Sequence, residues 1–175
     1  MKFEKVYKKI IKKIKKVLKV ELAEAKKLSF ELMETSKAAY LTTIDSEGFP
    51  ITRAMFNLRN KEQFPEFSQF FAGLDNEFEI YISTNTSSSK TEHIKNNPKI
   101  SVYFCDPENF KGVMFGGEVE VIDDMEVKRN IWLDWWTRYY REGLEDPDYT
   151  LLRLNPKQVR FYHKLQQVKF EPGEK

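Results

Sequence analysis

The chain has 175 residues, with 29 Lys plus Arg against 27 Asp plus Glu and a formal net charge of +2, a length that suits one compact domain, two at most. Its single cysteine, Cys105, cannot form an internal disulfide, which excludes an extracellular disulfide scaffold and makes the reducing cytoplasm the expected compartment. The longest apolar runs, Ala38 to Leu41 and Val102 to Cys105, have four residues each, far below the ~20 of a spanning helix, and the basic N-terminus lacks the apolar segment of a secretory signal.

The charge is unevenly spread. Residues 1–19 hold nine lysines against one acid, Glu4, so +8 sits on the leader and −6 on the rest of the chain. Phe3, Val6, Tyr7, Ile10, Ile11, Ile14, Val17, Leu18, Leu22 and Ala25 recur every three or four residues, the period of an amphipathic helix whose other face is lysine. The pattern continues through Leu28 and Leu32 towards Ser36 as one helix, or as two broken near Val20. Such a helix can lie on an anionic membrane surface, touch nucleic acid, or pack its apolar face on the domain or a partner; packing is the reading adopted, with nucleic acid the least favoured. The expected organisation is a helical extension over residues 1–21 followed by a single domain over 22–175.

From Ala39 the period changes. Ala39 to Asp45, the turn Ser46-Glu47-Gly48-Phe49-Pro50, and Ile51 to Leu58 predict a β-hairpin. Residues 60–77, with Phe64, Phe67, Phe70 and Phe71, form a loop or short helix long enough to be a lid, an interface or a local insertion. Phe78 to Thr84 predicts a strand, Lys90 to Asn97 a short helix stopped by Pro98, and Lys99 to Cys105 and Val113 to Ile122 two further strands, the second kinked at Gly116-Gly117. Asp123-Asp124 is placed to cap a helix of about 16 residues carrying Trp132, Trp135 and Trp136 on one face. Tyr149 to Leu154, Gln158 to Tyr162 and a short edge at Val168 to Phe170 close the chain. Strands without βαβ alternation predict a mainly β fold, an antiparallel barrel with peripheral helices.

Several chemistries are absent from the pattern. His93 and His163 lie far apart with no paired cysteines, so no zinc site is expected; Thr84 to Lys90 lacks the glycines of a phosphate loop. Yet Thr84, Thr86, Ser88, Ser89 and Lys90 bring hydroxyls, helix N-terminal amides and a cation to one strand end, which is what a phosphate needs. Arg53, the first arginine of the chain, would add a guanidinium if its strand lies nearby. An over-capped helix and an edge arginine account for the same residues. The three tryptophans likewise read as core or interface, or as a stacking wall for a planar ligand.

The motifs Ala39-Tyr40-Leu41-Thr42-Thr43-Ile44-Asp45, Gly48-x-Pro50, Arg53-Ala54-Met55, Thr84 to Lys90 with Ile94 and Asn97-Pro98, Gly117 to Asp124, Trp132, and Gly143-x-x-Asp146-Pro147-Asp148-Tyr149 occur in this order over about residues 22–163. In that order they resemble the pyridoxamine 5′-phosphate oxidase-related, FMN-binding split-barrel superfamily, and within it the bacterial general stress protein branch. The resemblance implies a six-stranded split barrel that forms a homodimer with one FMN in each of two inter-subunit clefts. It places the phosphate ligands on Arg53, Ser88, Ser89 and Lys90, the strand-end threonine on Thr84, the isoalloxazine edge along Arg53, Ala54 and Met55, and the family tryptophan on Trp132, near the flavin of the neighbouring subunit. Pyridoxamine phosphate oxidases resemble one another in a C-terminal Arg-x-His, whereas Arg160-Phe161-Tyr162-His163 spaces these residues differently, which points away from vitamin B6 oxidation. The resulting expectation is an FMN-dependent oxidoreductase on a small molecule, possessing no evident acid or base beyond Tyr139, Tyr140 and His163. A non-catalytic flavin carrier or sensor, a deazaflavin or haem binder, and an interaction module working through the basic helix are the other readings.

Overall fold

The computed structural model describes residues 21–163 and 165–174; the helix expected over the basic leader lies outside them apart from its last residue. Helix α1, Leu22–Thr35, turns Ala25, Ser29, Leu32 and Met33 inward, the three- and four-residue spacing of one helical face. It ends where Ser36 turns extended and returns its amide to the Leu32 carbonyl. No helix among the described residues is long and apolar enough to cross a membrane.

Strands β1 (Ala38–Ile44) and β2 (Pro50–Phe56) form the expected hairpin. Asp45 Oδ1 accepts the amides of Glu47 and Phe49, and Gly48 sits at φ +88°, a conformation only glycine adopts without strain. After a 3₁₀ turn at Pro65–Phe67 and the short helix α2 (Ser68–Ala72) come β3 (Ile80–Asn85), α3 (Ser89–Asn96), β4 (Lys99–Asp106) and β5 (Lys111–Ile122). Helix α4 (Met125–Asn130) and strands β6 (Tyr149–Leu154), β7 (Gln158–His163) and β8 (Gln166–Phe170) complete the order.

The sheet runs β2-β1-β4-β5-β6-β3, all antiparallel, with β7 and β8 branching from β5. The six-strand path is the expected split barrel; the two last strands enlarge it to eight. Strand β5 is its hub. One edge pairs with β4 from Lys111 to Glu118, while the other pairs with β7 over Gly112–Gly116 and with β6 over Val119–Ile122. The division falls at the predicted kink: a Cβ on Gly117 would stand 3.0 Å from Leu154 Cδ1 and 3.2 Å from the Asn155 carbonyl, so the glycine allows the close approach of the chain between β6 and β7 there. The two ends of the path, β2 and β3, approach without pairing. This is the split of the barrel.

Two apolar clusters hold the fold. Leu41, Ile82, Val102, Phe104, Phe115, Leu152 and Phe161 fill the barrel beneath α1. The second cluster joins Phe64, Phe67 and Phe71 to Tyr81, Ile131, Trp136, Tyr140, Tyr149 and Leu151. The Phe-rich segment therefore packs against the outer face of β3 and β6, and these two strands, buried on both faces, lack the in-and-out alternation of β4.

The long helix expected after Asp124 does not form. Asp124 caps as predicted, its Oδ1 accepting from Glu126 N at 2.8 Å and Val127 N at 3.3 Å, but α4 stops at Asn130. Ile131 leaves helical geometry, its side chain fully buried and its carbonyl accepting the Tyr149 hydroxyl at 2.9 Å. Two 3₁₀ turns follow, Asp134–Arg138 and Gly143–Glu145. Burying a side chain the size of Ile131 or Trp136 stabilises by roughly 1.5–3 kcal/mol or more, against at most ~0.7 kcal/mol per residue of helix propensity, so packing decides the backbone.

Candidate functional site

A cleft of about 700 Å³ lies in the seam between β2 and β3, within the size range of small-molecule sites. One side comprises Arg53, Ala54, Met55 and Phe56 of β2, and opposite them stand Ser83, Thr84 and Asn85 of β3 with Ser89 and Lys90 of α3. Lys37 and Ala38 lie at the start of β1, and Trp136, Tyr139 and Tyr140 form an aromatic wall. Because β2 ends the sheet path, its outer edge offers backbone donors and acceptors to whatever occupies the seam.

Arg53 and Lys90 face the same space. Burial lowers the Lys90 pKa, the charge of Arg53 lowers it further, and Asp148 partly offsets both; burial also lowers that of Arg53. Among the described residues neither cation forms an ion pair. Two partly desolvated cations set against each other, with no carboxylate among the residues that line the cleft, make a site that an anion would complete. Arg53 is held from behind: its Nη1 donates to Thr43 Oγ1 at 2.8 Å, and that hydroxyl lies 3.0 Å from His93 Nδ1. Since His93 belongs to α3, the chain of contacts ties the strand bearing Arg53 to the helix bearing Lys90.

The turn from β3 into α3 is fixed from outside the cleft. Asp148 Oδ1 accepts the Ser87 amide and Oδ2 accepts Asn85 Nδ2, each at 2.7 Å, and the Asp148 carbonyl accepts the Thr86 amide at 2.8 Å. Those bonds, that from Asn85 foremost, hold the Asp148 carboxyl below the usual carboxylate range. Two buried polar atoms of cleft residues have no partner among the described residues: Thr84 Oγ1 and Trp136 Nε1. Buried groups of this kind are ordinarily bonded. On the aromatic wall, burial, reinforced by Asp148 and Asp146, pushes the Tyr140 hydroxyl up to about 12, so at neutral pH it is a donor and no base.

Of the residues expected in the site, Arg53, Ala54, Met55, Thr84, Ser89 and Lys90 converge on the cleft. Ser88 turns away; its hydroxyl donates to the Asn85 carbonyl at 2.7 Å and meets Thr91 Oγ1 at 3.1 Å. Trp132 does not line the cleft of its own chain but packs on Tyr149, Trp136 and Tyr140 at ring separations of 5.2, 5.8 and 6.1 Å. His163 ends β7, beside Phe161 and away from the cleft. Trp136 takes the place against the cavity that a continuous helix would have shared among all three tryptophans. Lys37, Phe56 and Ser83 also escaped the sequence reading; register alone could have found Phe56, which stands opposite Ala38.

The family model described as pyridoxamine 5′-phosphate oxidase matches residues 25–163. Among solved structures, a Clostridium acetobutylicum protein related to general stress protein 26 of Bacillus subtilis, of the pyridoxine phosphate oxidase family, is 31% identical, with a TM-score of 0.68 over 87% of this chain and 96% of that one. General stress protein 26 of Bacillus anthracis shares the fold at 18% identity and a TM-score of 0.60, covering 81% of this chain and 95% of its own. So does a haem-binding protein of Mycobacterium smegmatis, at 16% identity and a TM-score of 0.58, covering 82% of this chain and 58% of its own. No curated protein matches the chain. A family match over most of the sequence, joined to a relative that shares nearly a third of its residues along almost its whole length, places this chain in the pyridoxamine 5′-phosphate oxidase family.

Proposed function

We propose that the seam cleft binds FMN and that the protein is a homodimeric flavin-dependent oxidoreductase acting on a small molecule. The observation that carries this reading is the pair Arg53 and Lys90, two cations facing one cavity that no carboxylate of the described residues lines. Lys90 and Arg53 hold the phosphate with the Ser89 hydroxyl and the first amides of α3, whose N-terminus favours an anion. The free edge of β2 from Arg53 to Met55 meets the rim of the ring system. Trp136 and Tyr140 exclude water from one side. Bound FMN supplies the redox chemistry; the chain binds, orients and desolvates. Arg160 lies outside the cleft of its own chain and donates to Gln158 Oε1 at 3.2 Å, in keeping with a substrate other than a B6 vitamer.

Dimerisation is supported by the outward face of the sheet. Tyr40 and Tyr103 are direct cross-strand partners, Tyr162 is close enough to bear on the Tyr103 hydroxyl, and all three are more than a third exposed. A second copy would cover this aromatic surface.

Purified protein is expected to be yellow, to release FMN on denaturation, and to have twice the chain mass by light scattering. In titrations of flavin-free protein, Lys90→Ala and Arg53→Ala each weaken FMN by about tenfold to hundredfold, the loss of a charge-assisted bond of ~1.5–3 kcal/mol. Unchanged affinity in both variants, or a haem absorption band in place of a flavin spectrum, refutes the assignment.

A further inference from the structure

We propose that Asp148 is a positioning residue that shapes the anion turn and so gives the protein its preference for a phosphorylated over an unphosphorylated flavin. The inference rests on the FMN reading of the cleft and adds what selects the phosphate. Asp148 does not line the cavity. Instead, it and the preceding residue grip three successive residues of the turn from behind. Asn85 is held through its side-chain amide, Thr86 through both its amide and a hydroxyl bond of 2.9 Å to the Pro147 carbonyl, and Ser87 through its amide. Thr86 is gripped once more by the Thr150 hydroxyl at 2.7 Å. With residues 85–87 held in this way, the chain enters α3 at Ser88 already aligned, and Ser89 and Lys90 reach the cleft.

A carboxylate beside an anion site is paradoxical on charge alone, because it repels the ligand. Here the two oxygens accept the Ser87 amide and the Asn85 amide group, so the carboxylate is held on the turn and forms no ion pair with Lys90 among the described residues, although its charge still acts on that lysine. Geometry and charge therefore act in opposite directions on phosphate binding, and two variants separate them. Asp148→Ala removes both. Asp148→Asn removes the charge yet can still accept the Ser87 amide, and a flipped Asn85 side chain can present its oxygen to the new amide.

The test is to titrate FMN and riboflavin, which differ by the phosphate alone, into flavin-free wild-type, Asp148→Ala and Asp148→Asn protein, with thermal unfolding recorded for each. The expected result is that Asp148→Ala weakens FMN by about tenfold to hundredfold while riboflavin changes less than about threefold, and that Asp148→Asn keeps FMN within about threefold of wild type. General loosening of the fold would weaken both flavins together and leave their ratio unchanged; that result overturns the proposal. If Asp148→Ala does not fold, Thr86→Val removes two grips of the same turn, those of its hydroxyl on the Pro147 carbonyl and the Thr150 hydroxyl, and is expected to lower the preference for FMN over riboflavin severalfold, an unchanged preference again counting against it. Wild-type protein that binds FMN no better than riboflavin overturns the selectivity role alone, whereas wild-type protein that binds neither flavin overturns the FMN reading and this inference with it.

Discussion

The two walls of the seam cleft are built by opposite means. The cation wall, from Arg53 across to Lys90, is positioned by discrete polar contacts: Thr43 and His93 behind the arginine, Asp148 behind the turn. The aromatic wall rests chiefly on packing. Trp136 is placed by rings that pack edge to face, at centroid separations of 5.8 Å to Trp132, 6.0 Å to Phe67 and 6.1 Å to Trp135, and its own Nε1 finds no partner among the described residues. A wall made of hydrogen bonds can be tuned one contact at a time. A wall made of packing stands or falls with the second core.

That contrast sets the order of expected effects. Trp136→Ala empties the centre of the aromatic cluster and should cost about 3–5 kcal/mol in urea unfolding; a loss under ~1 kcal/mol would mean that the wall is not structural. Lys90→Ala, by comparison, relieves the repulsion with Arg53 and should leave stability unchanged or slightly raised while FMN affinity falls, so the two variants cross over between the two assays. Thr43→Val keeps the shape of a fully buried side chain but strips Arg53 Nη1 and His93 Nδ1 of their common partner; about 1 kcal/mol of stability and a severalfold loss in FMN affinity are expected. An unaltered affinity would separate Arg53 from the contacts behind it.

The last effect is one of pH, confined to the aromatic wall and absent at neutral pH. With the folded Tyr140 hydroxyl pushed up to about 12 from an ordinary value of 10, the folded state keeps a proton that the unfolded chain gives up. Its stabilisation is whole below pH 10 and is lost as pH rises towards 12. Urea midpoints followed over this window should fall less steeply in Tyr140→Phe than in wild type, with Tyr149, also raised by burial, retaining part of the slope. Equal slopes would place the alkaline sensitivity elsewhere.

The difference between the walls also explains what the sequence could say about them. Hydroxyls, a lysine and an arginine announce their chemistry by identity; the hairpin pattern places Arg53 on β2, and the run of capping residues places the start of α3 at Ser89-Lys90 to within a residue. Ser88 is lost from that set because its hydroxyl has a nearer acceptor in Asn85, a choice between partners that composition cannot reveal. Residues 131–140 are legible as an aromatic packing segment but not as bent. Their spacing of three and four is the helical one, and only the position of Tyr149, which takes the Ile131 carbonyl from 18 residues away, shows that the helix must stop. The kink at Gly116-Gly117 could be foreseen from two glycines in a strand, whereas its purpose, dividing β5 between β6 and β7, depends on strands that come some 40 residues later.

The pairing of β3 with β6 alone has a consequence for how the site arises in time. Thr84 lies opposite Thr150 and Asn85 opposite Tyr149, and the clamp on the anion turn comes from Pro147 and Asp148. Contacts so distant along the chain carry a high loop-closure cost. During synthesis the strand that carries Thr84 emerges more than sixty residues ahead of its partner among the described residues, so the cleft cannot be completed until Trp136, Tyr140 and the β6 strand have been made.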